Sequence, residues 1–194
     1  MSELLQRKTA ASPPVAASPV PSPDWRRAPT GDMARDDDAA VLDLVELFFF
    51  AYRDFVGDAD RLLENYGFGR AHHRVLHFVL RRPGLTIAAL LDILKITKQS
   101  LNRVLKQLLD AGLVEARAGA VDRRQRLLYL TPQGAKLARE LTALQSKRFR
   151  RVLDDLPPSA RGAAAEFLFA MIDSEERLRV RDHLARARRG NERK

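Results

Sequence analysis

The sequence predicts a mainly α-helical fold with a small β-wing: a winged helix-turn-helix lobe at about residues 69–131, flanked by dimerisation helices at about 38–66 and 132–185. Three observations predict it. Between Thr86 and Thr131 two short amphipathic segments, joined by a tight turn, run into a basic hairpin. Positive charge is concentrated around that segment. The flanking segments carry apolar faces too wide to be buried against one small lobe.

Thr86 can cap a helix in which Ile87, Leu90, Leu91 and Leu94 recur at helical spacing. After the short turn at Lys95-Ile96, Thr97 caps a second helix. Its Leu101, Val104, Leu105 and Leu108 fall at i, i+3, i+4 and i+7, so one face must be buried. Gly112 stands where a helix end favours a residue tolerant of positive φ, which places the end near Ala111. Leu113-Val114 then opens a strand and Arg124 to Leu130 returns as its partner. Gly119 to Arg124 is the loop between them. Thr131-Pro132 combines an N-cap with the proline favoured at the first helical position.

The polar side of the second helix carries Lys98, Gln99, Asn102, Arg103 and Lys106, with no acidic residue from Lys98 to Gln107. An ordinary solvated face interleaves both signs to form i,i+4 pairs. Arg, Asn and Gln also match the donor and acceptor edges of guanine and adenine. The helix is therefore expected to read the major groove of double-stranded DNA through Gln99, Ser100, Asn102 and Arg103. Lys98, Lys106 and Arg123 are expected to hold the phosphate backbone. Arginines on a narrow loop suit a narrowed, A·T-rich minor groove, which assigns Arg124 there.

The run GLTIAALLDILKITKQSLNRVLKQLLDAGLVEARAGAVDRRQRLLYLTPQG resembles the DNA-binding lobe of the MarR family of bacterial transcription regulators. The family's Asp-x-Arg wing element is matched by Asp122-Arg123-Arg124. The resemblance implies that Asp122 braces the wing while Arg124 enters the minor groove. With the flanking helices it covers residues 38 to 182, its specific motifs lying between Leu85 and Gly134. The stretch GRAHHRVLHFVLRRPG, with the helix-turn-helix after it, resembles the PetP-type alphaproteobacterial subgroup. The family's terminal helices interlock into a homodimer, which implies a pseudo-palindromic operator with half-sites about 10 bp apart. A repressor role follows from the same resemblance. So does release of DNA by a small aromatic ligand, in a crevice that Phe48, Phe49, Tyr52, Tyr66, His72, His73 and His77 could line. An aromatic stripe at helical spacing is more often simply core.

The chain has 194 residues, 45% of them hydrophobic, and a net charge of +9. Lys95 to Arg150 holds 13 basic and four acidic residues, whereas Asp36 to Glu64 holds nine acidic and two basic. The first long helix is thus expected to face away from phosphates. Cysteine is absent, so disulfides, thiolate metal sites and a cysteine redox sensor are excluded. No run of about 18 apolar residues and no apolar signal core occur, and the expectation is a cytoplasmic protein that does not engage membrane.

Six of the ten prolines lie in residues 1–35, an expected disordered tail; Trp25-Arg26-Arg27 is its one candidate for partner binding, against an inert tail. The basic end, residues 186–194, is expected to fray. Val41, Leu44, Val45, Phe48, Phe49, Tyr52 and Phe55 form the wide face of the first long helix. After the break Leu156-Pro157-Pro158, one helix is expected from Ser159 past Arg177 with Phe167, Leu168, Met171 and Ile172 on one side. His73 and His77, four apart on a helix from Gly69 to Arg82, have chelating spacing, yet no carboxylate shares that helix and His183 is distant in sequence. Interface histidines are the expectation, with no metal and no cofactor. Asp36-Asp37-Asp38 reads as an acidic helix start, and no phosphate-binding glycine loop or nucleophile elbow points to an enzyme. A non-specific, nucleoid-type DNA-binding protein is the competing reading.

Overall fold

The computed structural model describes residues 33–119 and 122–191, with side chains in 38–119 and 122–188. The chain divides into two compact units, Met1–Phe48 and Phe49–Lys194. Helix α1 (Met33–Glu64) begins in the first unit, where Val41, Leu44, Val45 and Phe48 are exposed. It starts earlier and ends two residues sooner than the sequence suggested. Trp25-Arg26-Arg27 and the tail as far as residue 32 lie outside the described residues.

The second unit holds the rest of α1 and then α2 (Arg70–Arg81), β1 (Leu85–Thr86), α3 (Ile87–Leu94) and α4 (Lys98–Asp110). It continues with β2 (Val114–Ala118), β3 (Arg126–Leu130), α5 (Pro132–Asp154), α6 (Ala160–Ala170) and α7 (Arg177–Asn191). Helix α2 is its centre. Val75, Leu76 and Val79 are fully buried among Leu90 and Leu94 of α3, the four apolar residues of α4, and Leu137, Ala138 and Leu141 of α5. Ala59 and Leu63 of α1 close the same core. Each fully buried leucine contributes about 1.5–3 kcal/mol of transfer free energy.

Local signals set the element ends. Thr86, Thr97 and Thr131 each accept a backbone N–H through their hydroxyl, from Ala89, Ser100 and Gly134, at 3.1 Å. Lys95 adopts a left-handed conformation with φ 50°, making the sharp turn between α3 and α4. The Arg74 guanidinium donates to the free Leu94 carbonyl at 3.0 Å, so α2 caps the C-terminus of α3. Helix α4 closes at Gly112, φ 65°, with Leu113 N–H on Leu108 and Gly112 N–H on Leu109, the paired bonds of a Schellman end.

The sheet has order β1-β3-β2, all antiparallel, with Leu85 opposite Leu128, Val114 opposite Leu130 and Ala118 opposite Arg126. Sequence reasoning missed β1, a strand of two residues whose partner lies more than forty residues away. The returning strand begins at Arg126, not Arg124: the Asp122 carboxylate accepts the Arg124 N–H at 2.9 Å and keeps Arg124 and Gln125 in the turn. The single helix expected from Ser159 past Arg177 is two. Between α6 and α7, the Arg177 guanidinium caps the free carbonyls of Ala170 and Ile172. The basic end expected to fray from 186 is helical as far as Asn191, and Ala187 is buried.

Candidate nucleic-acid interface

The cap at Thr97 and the buried face Leu101, Val104, Leu105 and Leu108 fix which side of α4 meets solvent. Lys98, Gln99, Asn102, Arg103 and Lys106 are exposed on it. Ser100, expected to read a base, is half-buried; its hydroxyl oxygen accepts from the Thr97 hydroxyl at 2.9 Å, which ties it first to the cap. Among the described residues the ion pairs lie elsewhere, around Asp54, Asp58 and Asp60, at Asp92 and Glu176, and at Glu115. The cations of α4 therefore project without a carboxylate partner, the state in which phosphate can claim them.

Among the described residues the wing is closed by Gly119 N–H to the Gln125 carbonyl at 3.0 Å, Gln125 N–H to the Asp122 carbonyl at 3.1 Å, and Arg124 N–H to the Asp122 carboxylate. Ala120 and Val121 at its tip lie outside the described residues. Asp122, Arg123 and Arg124 are exposed. At the base of the hairpin the Arg117 guanidinium sits 4.4 Å above the Tyr129 ring.

Gln107, on the same helix face, is not free. Its Oε1 accepts from His72 Nε2 at 2.9 Å, a tie from α2 to α4 that spans 35 residues and that no local pattern announced. His73 and His77 face the interior. Burial lowers the His73 pKa, against a weaker upward pull from Asp60. Burial, then His73, Arg81 and His183, depress His77 to about 4. The structure brings His183 beside them: its ring lies 5.3 Å from Phe78 and its Nδ1 lies 3.0 Å from the Arg82 guanidinium. Burial also lowers its pKa, with Arg82, Arg81 and Arg186 adding to the effect. Among the described residues no three His, Asp or Glu side chains gather into a metal site.

Phe49 and Tyr52 are exposed on α1, Tyr52 beneath the Arg70 guanidinium at 5.7 Å, while His73 is buried and His77 half-buried on α2. Phe48 belongs to the other unit. A cavity of about 600 Å³ opens between α2, α3 and α7, lined by Phe78, Arg82, Ile93, Val180, His183 and Leu184 among others, and includes none of those five. No described helix is long and apolar enough to cross a membrane.

A sequence model of the MarR family matches residues 66–125. The chain is 50% identical, over 129 residues, to the HTH-type transcriptional regulator PetP of Rhodobacter capsulatus, an alignment that covers 66% of this chain and 78% of that protein. Among solved structures, the MarR family transcription regulator SP03579 superimposes with a TM-score of 0.62 at 19% identity, over 79% of this chain and 98% of that one. The Staphylococcus aureus MepR–DNA complex gives a TM-score of 0.54 at 21% identity, over 65% of this chain and 93% of that one.

Proposed function

The chain belongs to the MarR family of winged helix-turn-helix, DNA-binding transcription regulators, and on that premise we propose that it acts as a homodimeric repressor on a pseudo-palindromic operator. The observation that carries the reading is α4: capped, buried along one face, and bearing on the other, from Lys98 to Gln107, cations and amides with no carboxylate among them. Gln99, Asn102 and Arg103 read base edges in the major groove. Lys98, Lys106 and Arg123 hold phosphates, and Arg124, presented by the Asp122 turn, enters the minor groove. Ser100 contributes to the cap and to the first contact with the backbone.

Apolar surface supports the dimer. Phe167, Leu168 and Met171 are about half exposed on α6 and its end, and Phe149 and Val152 of α5 are similarly bare. Exposed apolar faces of this kind mark association surfaces. The 50% identity to PetP supports placement in that subgroup. A small aromatic effector remains part of the proposal through the family alone; the cavity between α2, α3 and α7 is lined by none of Phe49, Tyr52, His73 and His77.

The test is selection of fragments of the source organism's genomic DNA by the purified protein, followed by competition against random duplex at about 150 mM salt. One enriched inverted repeat, preferred by about a thousandfold or more, is expected. Uniform recovery of fragments would replace the regulator reading with that of a non-specific architectural protein.

A further inference from the structure

A buried polar group tied to the recognition helix is the ring of His72, 8% exposed, at the start of α2. Its Nδ1 lies 3.1 Å from the Gly69 N–H, which can only donate, so Nδ1 accepts. In the neutral ring the proton then sits on Nε2, where it donates to Gln107 Oε1 at 2.9 Å. Phe68 stacks on the ring at 4.6 Å and 14°, and Tyr66 stacks in turn on Phe68 at 6.0 Å. Two hydrogen bonds and a stacked aromatic thus leave His72 one orientation. It forms a fixed post between the α1–α2 junction and the last turn of α4.

What the post holds matters. Gln107 lies four residues beyond Arg103 and seven beyond Ser100, on one stripe of α4. The opposite face is packed through Leu101, Val104, Leu105 and Leu108, an aliphatic contact that resists separation but tolerates a small roll or slide. Base readout needs donors held to about 0.5 Å and 10–20°. A polar tether with a fixed tautomer supplies a directional constraint that leucines lack.

Resting on the operator reading above, we propose that His72 is a positioning residue for DNA recognition: through Gln107 it fixes the rotation of α4, so that Arg103 meets its base edge in register. Gln107 is then an anchor and not a reader of bases. His72 also occupies the third helical position after the Gly69 N-cap, where its Nδ1 does for the Gly69 N–H what Glu or Gln does in a capping box. The two duties can be separated by mutation.

The experiment compares wild type, Gln107→Met, His72→Phe, the double variant and His72→Gln, reading affinity for the selected operator and for random duplex at one salt concentration, with thermal unfolding alongside. Gln107→Met is expected to weaken operator binding about five- to tenfold, the worth of one neutral hydrogen bond, while leaving random duplex unchanged. The double variant should bind the operator no more weakly than His72→Phe alone. His72→Gln, which keeps a cap acceptor, should recover the unfolding temperature lost in His72→Phe without recovering operator preference. Wild-type operator affinity in Gln107→Met overturns the proposal. So do additive losses in the double variant, which would mean that Gln107 touches DNA itself. If wild type prefers no duplex, the regulator reading fails, and the tether is still decided by imidazole ¹⁵N spectra: an exchange-protected His72 Nε2–H that disappears in Gln107→Met supports it, and its absence from wild type overturns it.

Discussion

Helices α4 and α6 are of similar length, and each carries a cluster of large apolar side chains, yet they end in opposite circumstances. On α4, Leu101 and Leu108 are fully buried and Val104 and Leu105 nearly so. On α6 no residue is buried, and Phe167 and Leu168 are 51% and 46% exposed. The difference lies in their surroundings. Helix α4 has α2 and the wing around its apolar side, with a threonine cap and a Schellman end that hold it in register. Helix α6 buries none of its residues and has no side-chain cap at its start. One apolar face is completed by the chain itself; the other is completed, in the proposed dimer, by a second copy.

The largest break in this comparison comes from a position without a side chain. Gly134, in the first turn of α5, lies against the Leu113 carbonyl, which also accepts the Thr131 N–H. A Cβ there would run into backbone, which cannot rotate away. Gly134→Ala is therefore expected to separate α5 from the end of α4 and abolish cooperative unfolding, as read by circular dichroism on heating. A sharp transition near the wild-type temperature would show that the junction can yield.

Next in size is a direct contrast between the two faces. Leu108→Ala should cost about 2–5 kcal/mol in urea unfolding, as expected for a methyl-rich side chain removed from a packed interior. Leu168→Asp should leave unfolding of the dilute protomer nearly unchanged while moving sedimentation from dimer towards protomer. Equal destabilisation by both would mean that α6 is part of the lobe's own core. Loss at Leu108 with no change in sedimentation at Leu168 would remove the dimer from the proposal.

Legibility in the sequence follows the same division. Caps are chemistry within three residues, and Thr86, Thr97 and Thr131 were readable at sight; so was the α4 face, because a 3.6-residue period over thirteen residues has few alternatives. Strand β1 was not readable, since two residues carry no period and its partner, Leu127-Leu128, is remote. Nor was the His72–Gln107 tie, nor the approach of His183 to Phe78, because each depends on how α2 packs. The break between α6 and α7 did have a local signal. Asp173-Ser174-Glu175-Glu176 has the look of a helix start, with an N-cap residue and a glutamate three positions on, and the apolar run before it masked the boundary.

The lobe core should also reveal itself through pH. His77 is held neutral by burial, with His73, Arg81 and His183 adding unfavourable charge, so its folded pKa is about 4 against an ordinary 6.5. The unfolded ring takes up a proton as pH falls through 6.5, and the folded ring does not until about 4. The stability this confers is present above 6.5 and is lost as pH falls towards 4, amounting to about 2 kcal/mol between pH 7 and pH 5. The lowered values of His73 and His183 act in the same direction. His77→Leu should flatten this part of the urea-unfolding profile; an unchanged slope would assign the pH dependence to the other two rings.

The smallest effect sharpens the comparison most, because it separates a helix start that is held from one that is only begun. Thr97 is extended, with φ −66° and ψ 148°, and its hydroxyl oxygen accepts the Ser100 N–H. Ser159, at the same place before α6, is already helical, with φ −69° and ψ −20°, and makes no side-chain cap bond. The same substitution should therefore cost differently at the two sites. Thr97→Ala is expected to lose about 1 kcal/mol of unfolding free energy, and to weaken operator binding as the first turn of α4, with Lys98 and Gln99, loosens. Ser159→Ala removes no bond and should be neutral within about 0.5 kcal/mol. Residue preference alone favours both serine and threonine at a helix start, so equal costs would point to preference, whereas unequal costs would show that the hydroxyl must find its N–H before the cap has any value.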